Sequence, residues 1–180
     1  MLAAGGEVWC GDETTLREFP PLRAGWARRG EQVTVLISGR NARRVVHGAL
    51  QPRTGEVVHL VRERSRTDDV LAFVTVLGTV RPEVPKLLIW DNAPPHKPLR
   101  VREAATAAGM EVVFLPFRSP ELMPLEDVWR HLKAVVAANR AYASIDELAE
   151  RAVAWLDSLS PEAIRHRAGL HASKFDWLPT

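Results

Sequence analysis

Alternating and short apolar runs crowd the first third of the chain: EVWCGDE from Glu7 to Glu13, QVTVLIS from Gln32 to Ser38, RVVHGAL from Arg44 to Leu50 and EVVHLVR from Glu56 to Arg62. Their β-branched content, with GRN and QPRTG as punctuation, predicts a strand meander. From Thr67 the spacing becomes helical. Val70, Phe73, Val74 and Leu77 share one face, Asp68 and Asp69 suit the positive end of a first turn, and Thr67 is placed to cap it. KLLIWD, from Lys86 to Asp91, is a buried-strand pattern closing on a carboxylate, followed by the Pro-rich loop NAPPHKP. A helix is expected from Leu99 to Ala108, stopped by Gly109, and then a short strand EVVFLP from Glu111 to Pro116. After FRSPELMP, Pro124 fits the first turn of a helix on which Leu125, Val128, Trp129, Leu132, Val135 and Val136 keep helical spacing. Ser144 and Glu147 form a capping box, and Ser160 with Pro161 opens a last helix. Without an internal repeat, this order predicts a mixed α/β sheet with helices on its faces.

A length of 180 residues suits one domain with a real core, and residues 1–180 are expected to form a single unit. Hydrophobic residues at 46% and charged residues at 26% exclude wholesale disorder and a fibrous repeat. The longest uncharged, mainly apolar stretch, Val70 to Val80, is far shorter than the ~18–20 residues that span a bilayer, so no membrane partner is expected. The start, MLAAGGEVWC, does not read as a secretory signal, and the lone Cys10 excludes an internal disulfide; both favour the cytoplasm. Net charge is only +2 at a pI of about 9.0, with cations overwhelmingly Arg. That bias suits phosphate contacts but also arises from genome base composition. More specific is clustering: Arg23, Arg28, Arg29, Arg40, Arg43 and Arg44 in one stretch, and Arg62, Arg64 and Arg66 alternating in another, on one face if extended.

A carboxylate at the tip of an apolar strand costs solvation unless water, a cation or a metal compensates it. Asp12 and Asp91 are both in that position, and Glu126 opens the helix at Pro124, where the helix dipole helps hold it ionised. Three hard oxygen ligands suit one or two Mg²⁺ or Mn²⁺ ions. Each acid alone has an ordinary explanation: a turn former, a helix-opening acid, a loop residue.

The segment LLIWDNAPPHKPLRVREAATAAGMEVVFLPFRSPELMPLEDVWRHLK resembles the catalytic core of DDE transposases of the insertion-sequence-630 and mariner superfamily, with its Asp-Asn-x-x-x-His strand end and Ser-Pro-Glu-Leu-Asn-Pro-hydrophobic-Glu helix entry. That superfamily commonly has 34 residues between its second Asp and final Glu, the number between Asp91 and Glu126. VWCGDET likewise resembles its first acidic strand. The resemblance implies a ribonuclease-H-like, mixed five-stranded sheet flanked by helices, and DNA cleavage and joining. Asp12, Asp91 and Glu126 would hold two Mg²⁺ or Mn²⁺ ions for in-line displacement at phosphorus. Asp12 and Glu13 point to opposite faces of a strand, so only one joins the cluster; the resemblance selects Asp12, which parity alone does not.

Other assignments are open. Asn92 and His96 match the family's strand-end loop; His96 either positions a phosphate or metal-bound water, or stabilises the turn, or is merely exposed. Arg130 and Lys133 share the face of Glu126 and either hold DNA phosphates or, for Arg130, pair with Glu126 on a solvated surface. Trp129 belongs to the apolar stripe. Met123 stands where the family usually has Asn, and Arg118 where an aromatic is common. Relatives carry helix-turn-helix modules ahead of the first Asp, where eleven residues stand here; the expectation is that a separate polypeptide or a frameshifted upstream frame supplies end recognition, or that this chain is a truncated remnant. The resemblance further implies transposon-end and target duplex DNA as partners, a homodimer on DNA, and a bacterial, nucleoid-associated location. The alternatives are an inactive DNA-binding relic and a stand-alone nuclease of the same fold.

Overall fold

The longest strand, β1 (Glu7–Arg17), is the spine of the sheet. The computed structural model of the chain describes residues 5–31, 34–35, 37, 39–172 and 175–178. On one side of β1, β2 (Arg43–Leu50) pairs antiparallel from Cys10↔Leu50 to Arg17↔Arg43, and β3 (Val57–Arg62) pairs antiparallel with β2. On the other side β4 (Lys86–Trp90) lies parallel to β1, and β5 (Met110–Phe114) parallel to β4. The result is a mixed five-stranded sheet in the order β3-β2-β1-β4-β5.

Helices cover both faces, and strand parity divides the core between them. Val8, Cys10 and Leu16 of β1 pack against α3 (Pro124–Leu132), α4 (Ile145–Asp157) and α5 (Pro161–Arg167), where Leu125, Leu132, Leu148 and Ile164 meet them. Trp9 of β1 and Leu88 and Trp90 of β4 face α1 (Thr67–Gly78) and α2 (Leu99–Ala107), with Phe73, Leu77 and Val101. Among the described residues no helix is long and apolar enough to cross a membrane.

Several local expectations change. β1 does not stop near Asp12: pairing with β2 carries it on to Arg17, so Asp12 lies mid-strand. The strand expected over 32–38 falls partly outside the described residues, and the described 34, 35 and 37 are not in a strand. Thr67 is the first residue of α1 rather than its cap; Arg66 takes that place, its N–H donating to Asp69 Oδ2 at 3.0 Å. Ser144 Oγ accepts the Glu147 N–H at 3.1 Å, but Glu147 reaches past it to the Ala143 N–H, so the box closes one residue early. The helix at Pro124 loosens after Leu132 into a π-helical turn, Lys133–Ala137, where the Ala138 N–H bonds to the Lys133 carbonyl at 2.8 Å. The wider turn keeps Val136 and Ala137 in the core.

Candidate active site

Parity places two neighbouring acids on opposite sides of the sheet. Asp12, in phase with Cys10 and Leu16, faces α3; Glu13, in phase with Trp9, faces α1 and α2. Pairing of β1 with β4 ends at Cys10↔Ile89, and the chain turns away at Asp91, one residue beyond β4. The ladder therefore opens beside Asp12. Glu126, exposed in the first turn of α3, closes the gap from above. Asp12, Asp91 and Glu126 line one cleft of about 290 Å³, together with Asn92, residues 115–120 and Met123.

The height of α3 above the sheet is set opposite Asp12, at its cross-strand partner Gly48. A Cβ there would lie 2.7 Å from the Trp129 ring, so only glycine lets α3 settle this close. Met123 anchors the start of the same helix by burial; it provides no side-chain cap.

Electrostatically the cleft is unbalanced. Asp12 is 7% exposed, and its Oδ2 has no hydrogen-bond partner. Burial, reinforced by the charges of Glu126, Glu13 and Asp91, holds its carboxyl well above the ordinary 3.8. Among the described residues no Lys or Arg pairs with any of the three acids. An orphaned buried carboxylate oxygen beside two further carboxylates is a donor set that fits a hard divalent cation.

Behind the cleft, on the other side of the sheet, runs a buried chain of hydrogen bonds. Glu13 Oε1 lies 2.8 Å from His96 Nε2 and 3.1 Å from Nδ1 of His47, its direct cross-strand partner. His96 Nδ1 in turn lies 2.7 Å from Asp91 Oδ1. The His96 ring stacks on Trp90 with centroids 4.0 Å apart. Burial pushes the Glu13 carboxyl up, but the hydrogen bonds from His47 and His96 outweigh it and bring it to about 2. Burial likewise disfavours a charged His96, yet its bonds to Asp91 and Glu13 raise it to about 9. His96 is thus an imidazolium held between two carboxylates. Asp91 Oδ1 also accepts the Ala93 N–H at 3.0 Å. Both contacts fall on that one oxygen, leaving Oδ2 for the cleft.

Among the described residues, Glu13, Asp91 and His96 are the group whose ligand atoms all lie within 4.8 Å of one another. Their atoms already satisfy each other through hydrogen bonds and ion pairs. Of the readings open for His96, exposure is set aside and the turn-stabilising one is favoured: it is fully buried, with Nε2 on Glu13 and Nδ1 on Asp91 at the end of β4. Asn92 does line the cleft, its amide donating to the Leu115 carbonyl. Arg130 is exposed and pairs with Asp127 at 2.8 Å, not with Glu126. Lys133 is half-buried at the start of the π-helical turn. Sequence reasoning missed Glu13 and His47. Their shared register was the signal, and it becomes visible only once β1 and β2 are paired.

Residues 7–149 match the family model of the DDE superfamily endonucleases. The chain belongs to that superfamily. This DDE-superfamily chain is 26% identical over 159 residues to the insertion element IS630 39 kDa protein of Shigella sonnei, covering 86% of this chain and 46% of that protein. It is 29% identical over 104 residues to protein y4pE/y4sA of Sinorhizobium fredii, covering 57% of this chain and 75% of that protein. Among solved structures, the Mos1 strand transfer complex superposes with a TM-score of 0.72 at 15% identity, over 95% of this chain and 52% of the Mos1 chain. The isolated catalytic domain of Mos1 mariner transposase gives 0.63 at 15% identity, over 94% and 79%. The shared fold is ribonuclease-H-like. The DDE chain spans about half the length of the Shigella protein and of the Mos1 chain in that complex.

Proposed function

We propose that this chain is the catalytic domain of a DDE transposase that cuts and joins DNA strands at transposon ends. The observation that carries the reading is the cleft in which Asp12, Asp91 and Glu126 meet, with a buried Asp12 oxygen that no group of the protein satisfies. A domain that only bound DNA would have no use for that uncompensated carboxylate, which disfavours the inactive relic. The three acids would hold two Mg²⁺ or Mn²⁺ ions, which when bound supply activation of a water or a DNA 3′-hydroxyl and neutralisation of charge on the leaving oxygen. The Mos1 paired-end complexes determined with Mg and with Mn support the choice of ions. The protein's own part is positional: His96 and Ala93 fix one oxygen of Asp91, the sheet fixes Asp12, and the Gly48–Trp129 contact fixes the height of Glu126.

The DNA path is supported by charge. Arg44, Arg62, Arg64 and Arg66 line a groove of about 570 Å³ at the end of β3, and an adjoining groove of about 370 Å³ adds Arg17 and Arg43. Only Arg62 of the alternating trio lies on a strand, yet all three reach one groove. Arg62 pairs with Asp69 and Arg44 with Asp146; Arg64 and Arg66 stand against Glu63 alone, so the groove keeps a net positive charge. Arg17 is five residues beyond Asp12 on β1, roughly 17 Å along the strand and of opposite parity, so it would meet a duplex only at the strand end and not on the cleft face. Arg130, Lys133 and Asn92 extend contacts along α3 and the cleft floor. This surface reads phosphates rather than bases, so end recognition falls to a helix-turn-helix element, and two copies would bring paired ends together. Such work belongs where bacterial DNA lies, in the cytoplasm and nucleoid.

The test is nicking of supercoiled plasmid with Mg²⁺ or Mn²⁺, followed by joining of a labelled 3′-end. Asp12→Ala, Asp91→Ala and Glu126→Ala should each abolish both while duplex binding persists. Undiminished cutting by Asp91→Ala would sink the assignment, and cutting without joining would favour a stand-alone nuclease.

A further inference from the structure

Among the described residues, three that are not glycine hold left-handed backbone: Arg81 at φ 42°, Arg118 at 57° and Asn139 at 56°. That conformation costs about 1–2 kcal/mol and persists where something offsets it. Arg81 is held by Glu7 and Glu56, each at 2.7 Å. Asn139 brackets the Arg23 backbone, accepting its N–H at 2.9 Å and donating to its carbonyl at 2.8 Å. Arg118 has no such compensation. Its exposed side chain makes no hydrogen bond or ion pair among the described residues, and it stands on the wall of the cleft that contains Asp12, Asp91 and Glu126.

Beside it on that wall, Phe117 is 73% exposed. The ammonium of Lys97 lies 4.5 Å from its ring centroid and covers one face. Lys97 likewise has no carboxylate partner among the described residues. One exposed aromatic on a surface is ordinary. An exposed ring with one cation over its face and a second on the next residue, on the wall of an acid-lined cleft, matches what a nucleotide offers: a flat base with a phosphate on either side.

We propose that Phe117, Lys97 and Arg118 form a platform for one unpaired nucleotide next to the phosphate being processed. The base stacks on the Phe117 face opposite Lys97, and Lys97 and Arg118 take the flanking phosphates. A duplex keeps its base faces covered, so the ligand is a frayed or overhanging strand end of any sequence. Fixed cations at this position also offset the repulsion that the cleft acids exert on an incoming phosphate, independently of any metal. The inference rests on the reading of the site as a DNA-processing centre, but its test is a binding measurement in EDTA that needs no cleavage.

The probe is a short duplex with a 3′-overhang carrying 2-aminopurine, compared with the same duplex blunt-ended, titrated with the whole 180-residue chain. Wild type should bind the overhang more tightly and quench its fluorescence. Phe117→Ala should lose the quenching and weaken overhang binding about 5- to 150-fold, as expected for ~1–3 kcal/mol of stacking at ~1.4 kcal/mol per tenfold, while blunt-duplex affinity stays within about twofold. Arg118→Gly suits the positive φ and so should keep or raise the thermal midpoint while lowering the salt dependence of overhang binding by about one phosphate contact. Equal binding of overhang and blunt DNA by wild type, or unchanged quenching in Phe117→Ala, would overturn the platform alone. Failure to bind either DNA would overturn it together with the DNA reading.

Discussion

Replacing Asp12 by Asn removes a charge and keeps the shape, and in the absence of metal it should make the protein more stable. The wild-type carboxylate buries an oxygen with no partner and is repelled by Glu126, Glu13 and Asp91; an amide there carries no charge to desolvate or to repel. An unsatisfied buried polar group costs about 1–3 kcal/mol, and a charged one more. In a domain of this size each kcal/mol moves Tm by about 2–4 °C, so the expected gain is about 2–12 °C. The sign with pH follows from the raised carboxyl: the folded protein binds a proton that the unfolded chain releases above about 3.8. Wild-type stability therefore falls as pH rises from the ordinary carboxylate value to the elevated folded one. The advantage of Asp12→Asn should be small at about pH 4 and grow towards about pH 8. Thermal scans in EDTA across that range measure it, and added Mg²⁺ or Mn²⁺ should then stabilise wild type and leave the variant largely unmoved. A variant no more stable than wild type at any pH, or with an equal response to the ions, would refute the reasoning.

Glu13→Gln leaves the buried His96 imidazolium with Asp91 as its remaining carboxylate and should cost about 1–3 kcal/mol in urea denaturation at neutral pH. The contribution of Glu13 is present above its ordinary 4.5 and lost as pH falls towards about 2, and that of His96 is present below 6.5 and lost as pH rises through about 9, so the difference from wild type should shrink at both extremes. Gly48→Ala drives a methyl into Trp129 and should cost about 1–3 kcal/mol in the same assay, lowering plasmid nicking more than duplex binding because α3 carries Glu126 upward. Combining Arg64→Ala with Arg66→Ala should reduce the slope of log affinity against log salt by about 1.8 for two lost phosphate contacts; an unchanged slope would remove the groove from the DNA path.

Much of the fold was legible because its cues are local. Ser144 and Ser160 cap the helices they were expected to cap, and Pro124 opens α3. Asp91 ends a strand because KLLIWD has nowhere else to place a carboxylate. What escaped the sequence is what pairing decides. Nothing in VWCGDET says that β2 carries β1 five residues past Asp12, or that Glu13 faces His47; both follow from a register fixed by residues of β2, beyond a long connection. His96 looked like a loop histidine because its neighbours are Pro and Lys, whereas its burial comes from Trp90 folding beneath it and Glu13 reaching across from β1. The cleft acids could be singled out one by one. The hydrogen-bonded chain behind them could not, since it exists only between elements.

The order of the strands also sets a schedule. β1 is first in the chain but central in the sheet, and during synthesis β2 and β3 can close onto it as a local antiparallel meander. Asp91 joins only when β4 takes up the long-range parallel pairing on the other side, and Glu126 only when α3 lands on Gly48. A ribosome must therefore pass α3 before the three acids can share a cleft. A chain cut short by a stop codon or a stalled ribosome just ahead of that point carries all five strands but not Glu126, so the sheet can be complete while the cleft still lacks its third acid.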